Sequence, residues 1–159
     1  MILNKRILNT AMALLLALPA GAMAASSSET VRDLSAEAAN MQTAKNLYAA
    51  IFTTHDVKLA KSLLGPEYIQ HARDVADGKE GLAQAIADII KDDPQISYEL
   101  KHISAEGNLV SMMGHLTPTP GSRGQMIFSI FRFDAGKIVE HWEAVQDIPE
   151  TSANGNGVF

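Results

Sequence analysis

Two changes of pattern along this chain predict an α+β domain, helices first and strands second. Apolar residues recur at three- and four-residue steps as far as Ile90, then at two-residue steps after Pro94. Turn residues punctuate the second half at short intervals. Three helices followed by four consecutive strands read as one curved antiparallel sheet wrapped around three N-terminal helices. That arrangement leaves a pocket between the sheet and the helices, open at one end.

The first residues read as an address rather than as fold. Lys5 and Arg6 precede an apolar run from Ile7 to Leu18, Pro19 and Gly21 break it, and Ala22-Met23-Ala24 is an A-x-A cleavage site. The run is short of the roughly 20 residues that span a bilayer. Residues 1–24 are therefore expected to be a cleaved signal peptide, 25–30 a linker, 31–150 the domain and 151–159 a tail. The expected location is the periplasm or the exterior, with no membrane contact after cleavage.

Cleavage removes two basic residues and no acidic ones, so the net charge moves from −5 to −7. So acidic a chain, without a basic patch, excludes nucleic acid as a natural partner. There is no cysteine, which rules out disulfides, thiolate metal sites and cysteine nucleophiles.

Val31, Leu34, Ala38, Met41, Ala44, Tyr48 and Ile51 mark one face of the first helix. Asp56 caps a shorter second helix carrying Leu59, Leu63 and Leu64, and Gly65-Pro66 closes it. Asp77 with Glu80 resembles a capping box opening the third, whose stripe is Leu82, Ile86 and Ile90 and whose stop is Asp92-Asp93-Pro94. Ile96, Tyr98, Leu100 and His102 then share one face of a first strand. Glu106-Gly107-Asn108 is a turn, Leu109 to Thr117 a second strand and Pro118 to Gly124 a loop. Gln125 to Phe133 and Lys137 to Gln146 form a hairpin around Asp134-Ala135-Gly136.

The hairpin sequence from Phe128 to Gln146, with Phe131-Arg132-Phe133 before Gly136-Lys137-Ile138-Val139-Glu140-His141-Trp142, closely resembles the SnoaL-like polyketide cyclase family of the nuclear transport factor 2-like superfamily. Tyr68-Ile69-Gln70-His71 with Ala76-Asp77-Gly78, and the ending from Asn154 to Phe159, agree with it. The resemblance implies a cone-shaped sheet, a frequent homodimer through the outer sheet face, and a deep cavity for a small apolar ligand or substrate. It also implies acid/base chemistry without cofactor, of the aldol-cyclase or isomerase kind, carried by an acidic residue with histidine help. Four sites depart from the family pattern: Ser129 replaces its usual Asp, Met113 its usual His, Glu143 follows Trp142 in place of Asp, and the pair Ala72-Arg73 replaces Asn-Pro.

His115, His71 and Glu140 are the catalytic candidates. His115 shares a strand face with Met113, and His71 lies between two helices at the expected cavity mouth, where it serves either as acid/base or as a loop-fixing hydrogen-bond donor. Glu140 depends on register. A two-residue turn pairs Phe131 with Glu140 and Ser129 with Trp142, turning Glu140 into the cavity and leaving Ile130, Val139 and Val145 outside. A three-residue loop with a bulge puts His141 beside Ser129 instead. The alternative for Glu140 is a salt bridge to Arg132 or Lys101. Tyr48, Tyr68, Met113, Ser129, Phe131 and Trp142 are the candidate ligand-binding residues. No histidine pair has a metal-ligand spacing, and neither a phosphate loop nor G-x-S-x-G is present. Three functions follow: a cofactor-free enzyme on a small carbonyl compound, a binding module, or a dimeric interaction domain.

Overall fold

Capping sets the start of the first two helices in the computed structural model, which describes residues 31–159. The signal peptide and linker expected over 1–30 lie outside the described residues. Asp33 Oδ1 accepts from the amides of Ser35 and Ala36 to open α1 (Leu34–Phe52). Asp56 Oδ1 accepts from Leu59 N at 2.8 Å to open α2 (Val57–Leu63). The third, α3 (Gly78–Asp92), starts without a capping box. Asp77 Oδ1 instead accepts from Gln70 N at 2.7 Å, and Glu80 pairs with Lys61. The acidic pair is spent on tying α3 to its neighbours.

Five strands form one curved, unclosed sheet in the order β1-β5-β4-β3-β2. They are β1 (Leu64–Gln70), β2 (Ser97–Glu106), β3 (Leu109–Thr117), β4 (Gln125–Asp134) and β5 (Lys137–Asp147). The fifth strand, β1, begins at Leu64, where Gly65-Pro66 marks the end of α2. It pairs parallel with β5, placing Gln70 opposite His141. Gly65 permits this approach, because a Cβ there would lie 2.7 Å from Val139 Cγ1.

Two bulges reset the faces of the sheet. In β2 the pairing skips Lys101 between Leu100 and His102. His102 therefore leaves the face it was expected to share with Tyr98 and Leu100 and turns to solvent, while Ile103 and Ala105 pack inward. In β5 the turn is the two-residue one, with Ala135 and Gly136 both at positive φ, 45° and 75°. The ladder then skips Val139: Phe133 pairs with Ile138, but Arg132 pairs with Glu140 and Phe131 with His141. Neither simple register contains this step.

The helices cover the concave face. Leu47, Tyr48, Ile86, Val110, Met112, Phe131 and Ile138 form the centre of the core, each at most 4% exposed. Gly114 on β3 leaves room for the Tyr98 ring, which a Cβ would meet at 2.2 Å. That ring packs edge-on against Tyr48 and stacks on Phe52, at centroid distances of 4.7 and 5.6 Å.

Candidate functional site

A cavity of about 300 Å³ opens between the concave face and the helices. That volume is at the small end of ligand sites and suits a small molecule. Its walls are mainly aliphatic and aromatic, from α1, α3, β4 and the β1–α3 connection. Polar groups enter mostly from the sheet side: Gln70 of β1, and His141 and Glu143 of β5.

The bulge at Val139 puts these two β5 side chains inside. Ser129 pairs with Glu143 and Phe131 with His141, and Ser129 and Phe131 face the core. The His141 ring lies parallel to Phe131, centroids 4.6 Å apart. Its Nδ1 is 3.0 Å from Gln70 Oε1; its Nε2 is buried without a hydrogen-bond partner, 3.9 Å from Glu143 Oε2. Burial, with the charge of His71 behind it, pushes the His141 pKa down to about 4.

Glu143 has the opposite shift. Burial raises its carboxyl above the usual range, partly offset by the hydrogen bond it accepts from the Tyr48 hydroxyl at 3.3 Å. Tyr48 is held well above its ordinary pKa, chiefly by burial, so it keeps its proton. With that proton given to Glu143, the Ser129 hydroxyl donates to Tyr48 at 2.5 Å. A line of hydroxyls thus runs from Ser129 through Tyr48 to a carboxyl on an apolar wall. Such a carboxyl takes and returns a proton nearer neutrality than an exposed one.

Four of the expected ligand-binding residues gather here. Tyr48, Tyr68 and Phe131 line the cavity, and Ser129 supports Tyr48 from behind. The three catalytic candidates do not line it. Glu140 faces the other side of the sheet because the bulge displaces it from Phe131 to Arg132. There it accepts from Arg132 Nε at 2.7 Å and from His71 Nε2 at 2.9 Å, the salt-bridged alternative. These partners pull its pKa down, His71 first and Arg132 second. Trp142 shares that outer face and stacks on His71, rings 5.1 Å apart and 3° from parallel. His115 and Met113 also point outward, since Met112 and Leu116 take the inward positions of β3. His115 Nε2 donates to Arg123 O at 2.7 Å. Val145, expected on the outer face, stands on the same face as His141 and Glu143 at the cavity rim and stays half exposed.

Sequence reasoning missed Gln70, His141 and Glu143 as site residues. The available signal was the alternation of Glu140-His141-Trp142-Glu143, which separates the right pairs without saying which pair is inside. Among the described residues, no group of three or more His, Asp or Glu side chains is arranged to hold a metal ion.

Residues 44–141 match the sequence profile of the SnoaL-like domain. Among solved structures, an uncharacterised cystatin-fold protein from Novosphingobium aromaticivorans is 25% identical, with 66% of this chain and 97% of that one covered at a TM-score of 0.58. A polyketide cyclase candidate from Bacillus cereus is 22% identical, covering 67% of this chain and 74% of its own, at a TM-score of 0.60. An epoxide hydrolase of the LEH-like kind from M. tuberculosis is 16% identical over 69% of this chain and 84% of its own, at a TM-score of 0.54. The latter two likenesses establish fold alone. No curated protein matches the sequence.

Proposed function

This chain belongs to the SnoaL-like domain family, and from that premise we propose that it is an exported, cofactor-independent acid/base enzyme acting on a small apolar carbonyl compound. The observation that carries the reading is Glu143, a carboxyl of raised pKa on the wall of an apolar cavity, with Tyr48 on its Oε2. The Glu143 carboxylate takes a proton from the carbon next to the substrate carbonyl: a C–H bond breaks, an O–H bond forms, and an enolate results. In an isomerisation the proton returns to another carbon. In an aldol ring closure the enolate carbon attacks a second carbonyl and the proton goes to the new alkoxide. Tyr48 and Ser129 hold the carboxyl in place, and His141 stands beside it as a neutral imidazole.

The test is hydrogen–deuterium exchange at the α-carbon of small apolar ketones and diketones in D2O, followed by NMR. Wild type is expected to accelerate exchange and Glu143→Gln to lose the acceleration. Equal rates in the two proteins overturn the assignment. Export is tested by cell fractionation and N-terminal sequencing, with the mature chain expected to begin at Ala25.

One observation favours a second reading, a binding module that keeps the cavity without the chemistry. Ser129, 1% exposed and engaged by Tyr48, stands where the resemblance places the cyclases' carboxylate. A ligand that raises the melting temperature and is recovered unchanged, with no exchange in any ketone tried, selects that reading.

A further inference from the structure

Whether His141 offers a proton or a lone pair to the cavity side depends on which ring nitrogen carries hydrogen, and the surroundings of Gln70 decide this. The Gln70 backbone is fixed twice, by its place opposite His141 in the parallel β1–β5 pair and by its amide on Asp77 Oδ1 at 2.7 Å. Its side chain is fixed as well. The amide of Ala72 donates to one terminal atom of Gln70 at 2.9 Å, so that atom is the oxygen. The other atom, the nitrogen, donates to the Tyr68 hydroxyl at 3.0 Å. The oxygen is also the atom 3.0 Å from His141 Nδ1. An amide oxygen only accepts, so His141 Nδ1 must carry the hydrogen. In a neutral ring Nε2 is then bare.

We propose that Gln70 is a positioning residue that fixes His141 as the Nδ1–H tautomer and keeps the bare Nε2 lone pair toward Glu143. Nε2 is buried, has no hydrogen-bond partner, and lies 3.9 Å from Glu143 Oε2. A movement of roughly 1 Å brings a protonated Glu143 into hydrogen-bonding range of it. The proton that Glu143 takes from substrate then has an acceptor behind it. The Glu143 O–H donates to Nε2 while the proton stays on the carboxyl, because burial holds the His141 pKa at about 4, below that of the raised Glu143 carboxyl. With the opposite tautomer, Nε2–H would face the carboxyl and Nδ1 would face the Gln70 oxygen lone pair to lone pair. The inference rests on His141 and Glu143 forming the site, but its first readout does not need turnover.

The experiment is 15N NMR of histidine-labelled protein near pH 7, where His141 is neutral, with its signals assigned by their loss in His141→Asn. Wild type is expected to show a protonated Nδ1 and a bare Nε2. Gln70→Glu keeps an acceptor and should keep this pattern. Gln70→Ala removes the acceptor, and the Nδ1–H form should fall to a minority. The α-carbon exchange rate of Gln70→Ala should fall by roughly ten- to a hundredfold, mostly in kcat, with Gln70→Glu falling less. A wild-type ring protonated on Nε2, a Gln70→Ala spectrum identical to wild type, or, when Glu143→Gln loses the exchange, an unchanged Gln70→Ala rate despite a changed tautomer each overturns the proposal. If wild type and both Gln70 variants give the expected spectra while Glu143→Gln exchanges as fast as wild type, the enzyme reading fails and the tautomer assignment stands.

Discussion

Two histidine–glutamate pairs flank the last strand, one on each face, and they behave in opposite ways. Outside, His71 Nε2 lies 2.9 Å from Glu140, Arg132 adds a second contact, and the histidine stacks on Trp142. Inside, His141 Nε2 lies 3.9 Å from Glu143, no arginine among the described residues forms an ion pair with that carboxyl, and the histidine stacks on Phe131. The outer glutamate is held below the ordinary carboxylate range by its partners; the inner one is pushed above it by burial. Residue types and stacking are alike in the two pairs, so they cannot be what separates them. A fixed cation, Arg132, makes the outer pair a structural clasp, whereas the inner carboxyl keeps an unmade hydrogen bond to His141 and a pKa raised by burial.

The sharpest way to break this contrast is Glu143→Gln, which removes the inner proton carrier and should cost on the order of 10²- to 10⁴-fold in α-carbon exchange. Next is the stacking partner. Phe131→Ala opens a fully buried site and should cost about 3–5 kcal/mol in urea unfolding, well above Trp142→Ala on the half-buried outer face. Third comes acid. A histidine whose folded pKa is depressed from 6.5 to about 4 takes up its proton more readily when unfolded. Its contribution to stability therefore falls as the pH drops through that window, by a total on the order of 3 kcal/mol. Glu143 has the opposite sign, gaining stability as pH falls through its raised pKa. The clean measurement is therefore the difference between wild type and His141→Gln across pH 6.5 to 4, which should narrow as the solution is acidified. Least affected are Glu140→Gln and His71→Ala, which should leave exchange rates unchanged. A large loss of activity in either would erase the distinction between the faces.

The helices and β3 to β5 were legible because each rests on a local signal: a cap, a period, or the Ala135-Gly136 turn. What escaped was non-local or one residue wide. Gly65-Pro66 ends a helix wherever it occurs, and only β5 alongside turns the next residues into β1. Lys101 and Val139 sit in ordinary strand sequence, and nothing in their side chains announces that the ladder skips them. The aromatic cavity residues were found because aromatics are buried in most registers. Glu140 of the catalytic candidates and Trp142 of the ligand-binding ones lie outside the cavity because the skipped Val139 sets the phase of β5. His115 lies outside because the regular β3 ladder gives the inward positions to Met112 and Leu116. Gln70 was invisible as a positioning group until a parallel neighbour placed it opposite His141.

That skipped residue at Val139 has an evolutionary side. Glu140 to Glu143 hold two messages in one string, much as overlapping reading frames do. One frame presents a carboxylate and an indole to the cavity; the other presents an imidazole and a carboxylate. The bulge selects the second frame without altering a letter of either. A lineage could therefore exchange the chemistry of this wall by sliding the strand one position, before any residue that performs the chemistry mutates.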